Sequence, residues 1–302
     1  MATDDTVSVT LGNRTVTVPK GGLYDRYRMD PDLDAIGADP RVSDVKFFRQ
    51  LPKVTVDSPI GPTLSPNFYY RASTARLVML ARTRDIRTRL PKDLTPLEVL
   101  PGVGIVSVMF FRYDVCDIDF YTEAAVGIAV RPARHGTLPL ADLLAGLDDD
   151  HLHAHVLSLP VNTDIAQVRG HDGYGFPKWR TDIDVDIDDH HTSARVANAD
   201  GGIDLTFSAP TPTQRTFPSG ERVSSLTSYT LMGDAWHSTL TQTNVLTAGS
   251  SLLPRKSTLT LGDGRLTADL HSLRPLTTLR LDVATECQLA LHMPVPISVH
   301  RR

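Results

Sequence analysis

Apolar and polar residues alternate with a period of two along most of the chain, and this predicts strands far more often than helices. Val7, Val9 and Leu11, then Val16 and Val18, alternate with polar residues on either side of Gly12-Asn13, the signature of a hairpin whose turn accepts positive φ. Leu259-Thr260-Leu261 and Leu266-Thr267-Ala268 flank Gly262-Asp263-Gly264 and predict a second hairpin. Between residues 181 and 188, Ile183, Val185 and Ile187 alternate with aspartates, so one face of that strand must be buried and the other wet. Residues 105–114, 124–130 and 151–162 read as further strands.

Helical signals are short and local. Residues 85–90 before Pro91 fit one or two turns, residues 139–147 an amphipathic helix with proline near its start, and residues 221–226 the beginning of another. Residues 30–66 place many prolines and aspartates between short apolar pieces, which predicts a segment that wraps the surface or reaches a partner subunit. The pattern alone therefore supports a mostly β (α+β), antiparallel architecture with a few peripheral helices. We divide it into an N-terminal extension, residues 1–70, and a main domain, residues 71–302.

With 302 residues, 41% of them hydrophobic, the chain has enough apolar material for one large core or two modest ones. Its formal charge of -4, with the arginines scattered, supplies no field for nucleic acid or an anionic membrane. Cys116 and Cys287 are too few for a disulfide framework and are expected as reduced thiols. There is neither a basic, apolar start nor a run of about eighteen apolar residues, and a cytoplasmic location is the expectation.

The candidate chemistry lies in Gly173-Tyr174-Gly175-Phe176-Pro177-Lys178-Trp179. Glycines and a proline fix this backbone, while its aromatic residues can desolvate an amine and favour the neutral, nucleophilic form. A neutral amine attacks a ketone, loses water and leaves an imine that draws electrons from an adjacent bond. The same residues also make good turn chemistry, with the lysine pointing into water.

Residues 169–178, Arg-Gly-His-Asp-Gly-Tyr-Gly-Phe-Pro-Lys, resemble the Schiff-base segment of the acetoacetate decarboxylase family. A second family-like segment, Phe120-Tyr121-Thr122-Glu123, precedes it in the right order. The resemblance runs from about Ala75 to about Pro294. It implies a curved antiparallel sheet closing into a cone-like barrel around a buried pocket, a small keto acid or ketone as substrate, no cofactor and a homo-oligomer.

By that resemblance Lys178 is the imine-forming lysine and Glu123 the pocket glutamate. Tyr121, two residues from Glu123, shares its face if the segment is a strand. Arg76 is the candidate for the arginine that holds the substrate carboxylate, with Arg82 and Arg71 as alternatives. Asp172 fits the acidic position before the lysine, and Tyr174, Phe176 and Trp179 are candidate pocket walls. Two departures stand out. Trp179 occupies the place of the family's second lysine, and the expected second carboxylate falls near Val108 or Met109. Together they shift weight from simple decarboxylation toward aldol and dehydration chemistry of the kind seen in secondary metabolism.

His151, His153 and His155 share one face of a strand and invite a metal, but no acidic ligand is spaced beside them, and no metal is expected. The alternating aspartates after residue 181 lack the glycine turn of a calcium loop. No Gly-x-Ser-x-Gly elbow, phosphate loop or dinucleotide fingerprint occurs. The alternative is a pocket of the same fold that binds a hydrophobic metabolite and steers a cyclisation or isomerisation without a covalent lysine, Trp179 and Tyr174 forming its walls.

Overall fold

The computed structural model describes residues 5–132 and 151–298. A hairpin of β1 (Thr6–Leu11) and β2 (Arg14–Pro19) opens the chain, followed by short helices α1 (Leu23–Tyr27), α2 (Leu33–Gly37) and α3 (Lys46–Arg49) and a second small hairpin, β3 (Val54–Val56) with β4 (Thr63–Ser65). Then come β5 (Asn67–Arg82), α4 (Thr83–Arg87), β6 (Glu98–Leu100), β7 (Val103–Cys116), β8 (Tyr121–Ala129) and β9 (His151–Ser158). Helix α5 (Asp164–Val168) runs into a π-helical turn at Arg169–Gly173. The remainder comprises β10 (Ile183–Ile187), β11 (His191–Ala197), β12 (Ile203–Pro210), β13 (Arg215–Thr216), β14 (Val223–Met232), β15 (Ala235–Leu252), β16 (Thr258–Leu261), α6 (Arg265–Ser272), β17 (Thr277–Leu291) and β18 (Val295–Ile297).

Seven strands close a barrel in the order β15-β14-β9-β8-β7-β5-β17, with β17 returning to β15. Closure leaves the ring without free edges. Every seam is antiparallel except β14 with β9, so the expectation of a wholly antiparallel sheet is corrected at one place. On β5, β7 and β8 alternate residues face opposite ways. Leu77, Met79, Val108, Phe110, Val126 and Ile128 face outward into a core shared with α6 and with a four-stranded sheet of β10, β11, β12 and β16. Phe110 stacks on Phe207 of that sheet at 5.4 Å.

The other face, with Met109, Phe111, Tyr113 and Glu123, looks into the barrel. One end is closed by the N-terminal region: Leu11, Val16, Val18, Tyr24 and Ile60 pack in one cluster with Tyr69, Tyr113 and Tyr121. A buried ion pair reinforces the closure. Lys53 Nζ lies 2.7 Å from Asp117, whose carboxylate also accepts from the Phe68 N–H and the Tyr70 hydroxyl, each at 2.7 Å. Burial pushes the Asp117 carboxyl up and the Lys53 ammonium down, and their mutual attraction opposes both shifts.

Two sequence expectations change and a third is not tested. Residues 259–268 are not a hairpin: β16 pairs with β12, and Leu266, Leu270 and Leu273 repeat at helical spacing in the core. The Asp204 carboxylate accepts from the Leu266 and Thr267 N–H groups at 2.9 and 2.8 Å, satisfying the donors that start α6. Residues 221–226 belong to strand β14 from Val223 onward, because the ring needs that stave between β9 and β15. Residues 139–147, expected as a helix, lie outside the described residues.

Candidate active site

Tyr121 and Glu123 leave the turn at 117–120 on β8, which pairs with β7 so that Tyr121 faces Tyr113 and Glu123 faces Phe111. Past the end of β9 the ladder continues through Val161, which bridges Glu123 on one side and Arg180 on the other. The Val161 N–H donates to the Trp179 carbonyl and the Thr181 N–H to the Val161 carbonyl, each at 2.9 Å. Lys178 is thereby fixed beside Glu123 although 55 residues separate them.

The loop before the lysine is knitted to the π-helical turn. Phe176 N–H donates to the Gly170 carbonyl at 3.0 Å and Gly175 N–H to the His171 carbonyl at 3.1 Å. Gly175 has φ +71, a left-handed turn suited to glycine, and a side chain there would also strike Met232.

Lys178 Nζ donates to Glu123 Oε2 at 2.5 Å, and each side chain is only 7% exposed. The Tyr113 hydroxyl donates to Glu123 Oε1 at 3.2 Å. Tyr69 and Tyr121 share a hydroxyl hydrogen bond of 3.0 Å, and the Tyr121 ring centre lies 5.5 Å from Lys178 Nζ. Burial above all, reinforced by the negative charge of Glu123, pushes the Tyr113 phenol well above its ordinary range. For Tyr69 and Tyr121 burial is again the main cause. All three therefore stay neutral donors. The arrangement puts an amine in direct hydrogen-bond contact with a carboxylate inside an enclosed site, a pairing suited to nucleophilic and acid-base chemistry.

Tyr174 and Phe176 stack at 5.9 Å and pack with Ala125, Leu159 and Met293, against Met109 and Phe111 of the barrel wall. The structure thus brings Lys178, Glu123, Tyr121, Tyr174 and Phe176 to one end of the barrel. Trp179 is not among them. Consecutive residues of an extended segment point to opposite sides, and Trp179 packs on the outer core with Arg265 4.1 Å above its ring, so it is no wall for this pocket. Asp172 is also elsewhere, paired with Arg14 at 3.1 Å and His171 at 2.7 Å on the side of the N-terminal hairpin. Arg76 faces into the barrel, but its guanidinium is bound to Asp282 at 2.8 Å.

Sequence reasoning missed Tyr113, Tyr69 and Arg169. Tyr113 was within reach, since the turn at 117–120 sets the β7–β8 register. Arg169 is 2% exposed and donates to Thr63 Oγ1 at 2.8 Å, the Leu64 carbonyl at 3.0 Å and the Tyr174 hydroxyl at 3.3 Å, while its plane lies 5.4 Å from the Tyr174 ring centre. It ties the β3–β4 hairpin to the lysine loop. The His151, His153 and His155 rings do share one face, the outer one, where they meet Thr227, Tyr229 and Trp236. Cys116 and Cys287 are buried, and burial pushes the Cys287 thiol up to about 12.

Comparison with known proteins agrees with this architecture. The family model of acetoacetate decarboxylase (ADC) matches residues 57–292. A crystal structure of acetoacetate decarboxylase from Legionella pneumophila subsp. pneumophila str. Philadelphia 1 is similar with TM-score 0.57 at 13% identity, covering 77% of this chain and 87% of that one. Another acetoacetate decarboxylase structure gives TM-score 0.56 at 12% identity, with 78% and 91% covered. The enduracididine biosynthesis enzyme MppR complexed with pyruvate gives 0.55 at 15% identity, with 78% and 92% covered. No curated protein matches the chain.

Proposed function

We propose that this chain, which belongs to the acetoacetate decarboxylase family, forms an imine between Lys178 and the ketone of a small keto acid and acts as a lyase. The observation that carries the reading is the enclosed contact between Lys178 Nζ and Glu123 Oε2.

In this mechanism the pair first moves its proton to the carboxylate, freeing the amine lone pair. The amine attacks the carbonyl carbon, the carbonyl oxygen leaves as water with the aid of that proton, and a protonated imine forms. The iminium then accepts the electron pair of an adjacent bond, either to a carboxylate carbon, which departs as carbon dioxide, or to a proton, which passes to Glu123. The resulting enamine can be reprotonated or can add to an aldehyde. Tyr113 holds Glu123 Oε1 so that Oε2 faces the lysine, and the phenols of Tyr121 and Tyr69 are neutral donors beside the intermediate. Tyr174 and Phe176 keep bulk water from the imine. The similar structures include an acetoacetate decarboxylase and MppR complexed with pyruvate, which supports a small keto acid as the substrate class.

Incubation with pyruvate or acetoacetate followed by borohydride reduction is expected to leave the mass of one reduced adduct on the peptide containing Lys178. Absence of that adduct with both acids would overturn the covalent reading.

A further inference from the structure

The wall that carries Glu123 continues beyond it. Directly paired residues of a ladder share a face, so Ala248, Ala284, Thr74, Phe111 and Glu123 form one rung across five strands. The next rung on that face is Ser250, Asp282, Arg76, Met109 and Ala125. The one after contains Leu252, Arg280, Val78, Ser107 and Gly127. At about 3.4 Å per residue these rungs stand about 7 and about 14 Å past Glu123 along the strands, within the span of two long side chains and a short substrate.

Asp282 gathers the polar groups of these two rungs. It accepts from Arg76 at 2.8 and 3.2 Å, from Arg280 at 2.9 and 3.1 Å and from the Ser250 hydroxyl at 2.7 Å. Burial alone would raise the Asp282 carboxyl, but Arg76, Ser250 and Arg280 outweigh it and hold the group below its ordinary range, so it stays ionised. Two guanidiniums thus share one carboxylate, and the cluster keeps one net positive charge. Each guanidinium has five N–H donors, and Asp282 uses only a minority of them. The side chains of Arg76, Arg280 and Asp282 are 26%, 39% and 22% exposed, so the residual charge is open to solvent.

We propose that Arg76 and Arg280, oriented by Asp282, form an anion subsite for the far end of the substrate and select a 2-oxo acid bearing a second carboxylate. The ketone end of that acid meets Lys178, and to that extent the inference rests on the imine reading. Asp282 preorganises both planar forks, so a distal carboxylate meets charge-assisted donors already in place, whereas an alkyl end would leave them to water.

The test compares 2-oxoglutarate with 2-oxopentanoate, equal in chain length and differing by one carboxylate. Calorimetric titration of the wild-type chain is expected to show 2-oxoglutarate binding about tenfold or more tightly at low salt, with the advantage shrinking as ionic strength rises. In Arg280→Gln the ratio of the two affinities is expected to collapse toward one. Equal affinities in the wild-type chain, or an undiminished ratio in a folded Arg280→Gln, would overturn the subsite. Borohydride trapping of the same two acids separates this from the imine reading. Adducts from both with equal half-saturation sink the subsite alone, while preferential binding of the diacid with no adduct sinks the imine alone. The wild-type comparison decides the matter even if the variant does not fold.

Discussion

Gly170 lies against the shaft of Lys178: a Cβ placed on it would collide with Cδ and Cε of the lysine and stand 3.0 Å from Nζ. The atoms that must give way belong to a flexible side chain, so Gly170→Ala is expected to fold but to displace the amine from Glu123. A shift of about 1 Å in a reacting group costs on the order of a hundredfold in rate. Borohydride trapping with pyruvate should slow by that order while the melting temperature stays near wild type.

Replacing Glu123 by glutamine leaves the Lys178 ammonium buried opposite a neutral amide. Breaking one side of an enclosed pair is expected to cost about 3–5 kcal/mol, read as a lower urea midpoint. Exchange of pyruvate methyl protons for deuterium, followed by NMR, should fall by about 10²–10⁴-fold for want of the proton acceptor. Adding Lys178→Met to Glu123→Gln removes the orphaned charge and should restore part of the stability with none of the exchange, a non-additivity that a double-mutant cycle measures directly.

Arg169→Met removes donors to Thr63, Leu64 and Tyr174 together. Hydrogen bonds from a charged group each contribute roughly 1.5–3 kcal/mol, and their joint loss is expected to destabilise the chain by about 3 kcal/mol after the methionine repacks. Amide hydrogen exchange should quicken at residues 63–65 and 174–176 before it quickens in β5 or β7. Uniform exchange across these segments would show that the arginine does not couple the hairpin to the lysine loop.

Mild acid should weaken the fold through histidine. Burial pushes the His155 imidazole below its ordinary range more than the hydrogen bond to the Tyr229 carbonyl raises it, and burial also lowers His292. Below the unfolded value of about 6.5 the unfolded chain therefore binds more protons than the folded one. Stability is fully present above that value and is lost as pH falls toward the folded pKa values. Urea midpoints taken from pH 7.5 to 5.5 should decline, and His155→Gln should flatten the decline.

The lysine and its carboxylate were legible because both sit in short segments of distinctive residue types, and the alternating Ile183, Val185 and Ile187 announced β10 without help. The misreadings have local causes. Trp179 was assigned to the pocket through its neighbour, although an extended backbone sends adjacent side chains apart. Gly262-Asp263-Gly264 looked like a hairpin turn because the group that starts α6, the Asp204 carboxylate, lies some sixty residues upstream. Arg169 gave no signal for the same reason: its partners Thr63 and Leu64 are more than a hundred residues away in the chain. Arg76 was read as the arginine that holds the substrate carboxylate, but the aspartate that claims it comes from β17, near the other end of the sequence.

The parallel seam between β9 and β14 also constrains the chain that joins them. Its two strands cannot meet through a tight turn, so everything between them, including the segment bearing Lys178, forms one long crossover. The enclosure of that amine therefore belongs to the closed ring as a whole and not to the short loop that carries it.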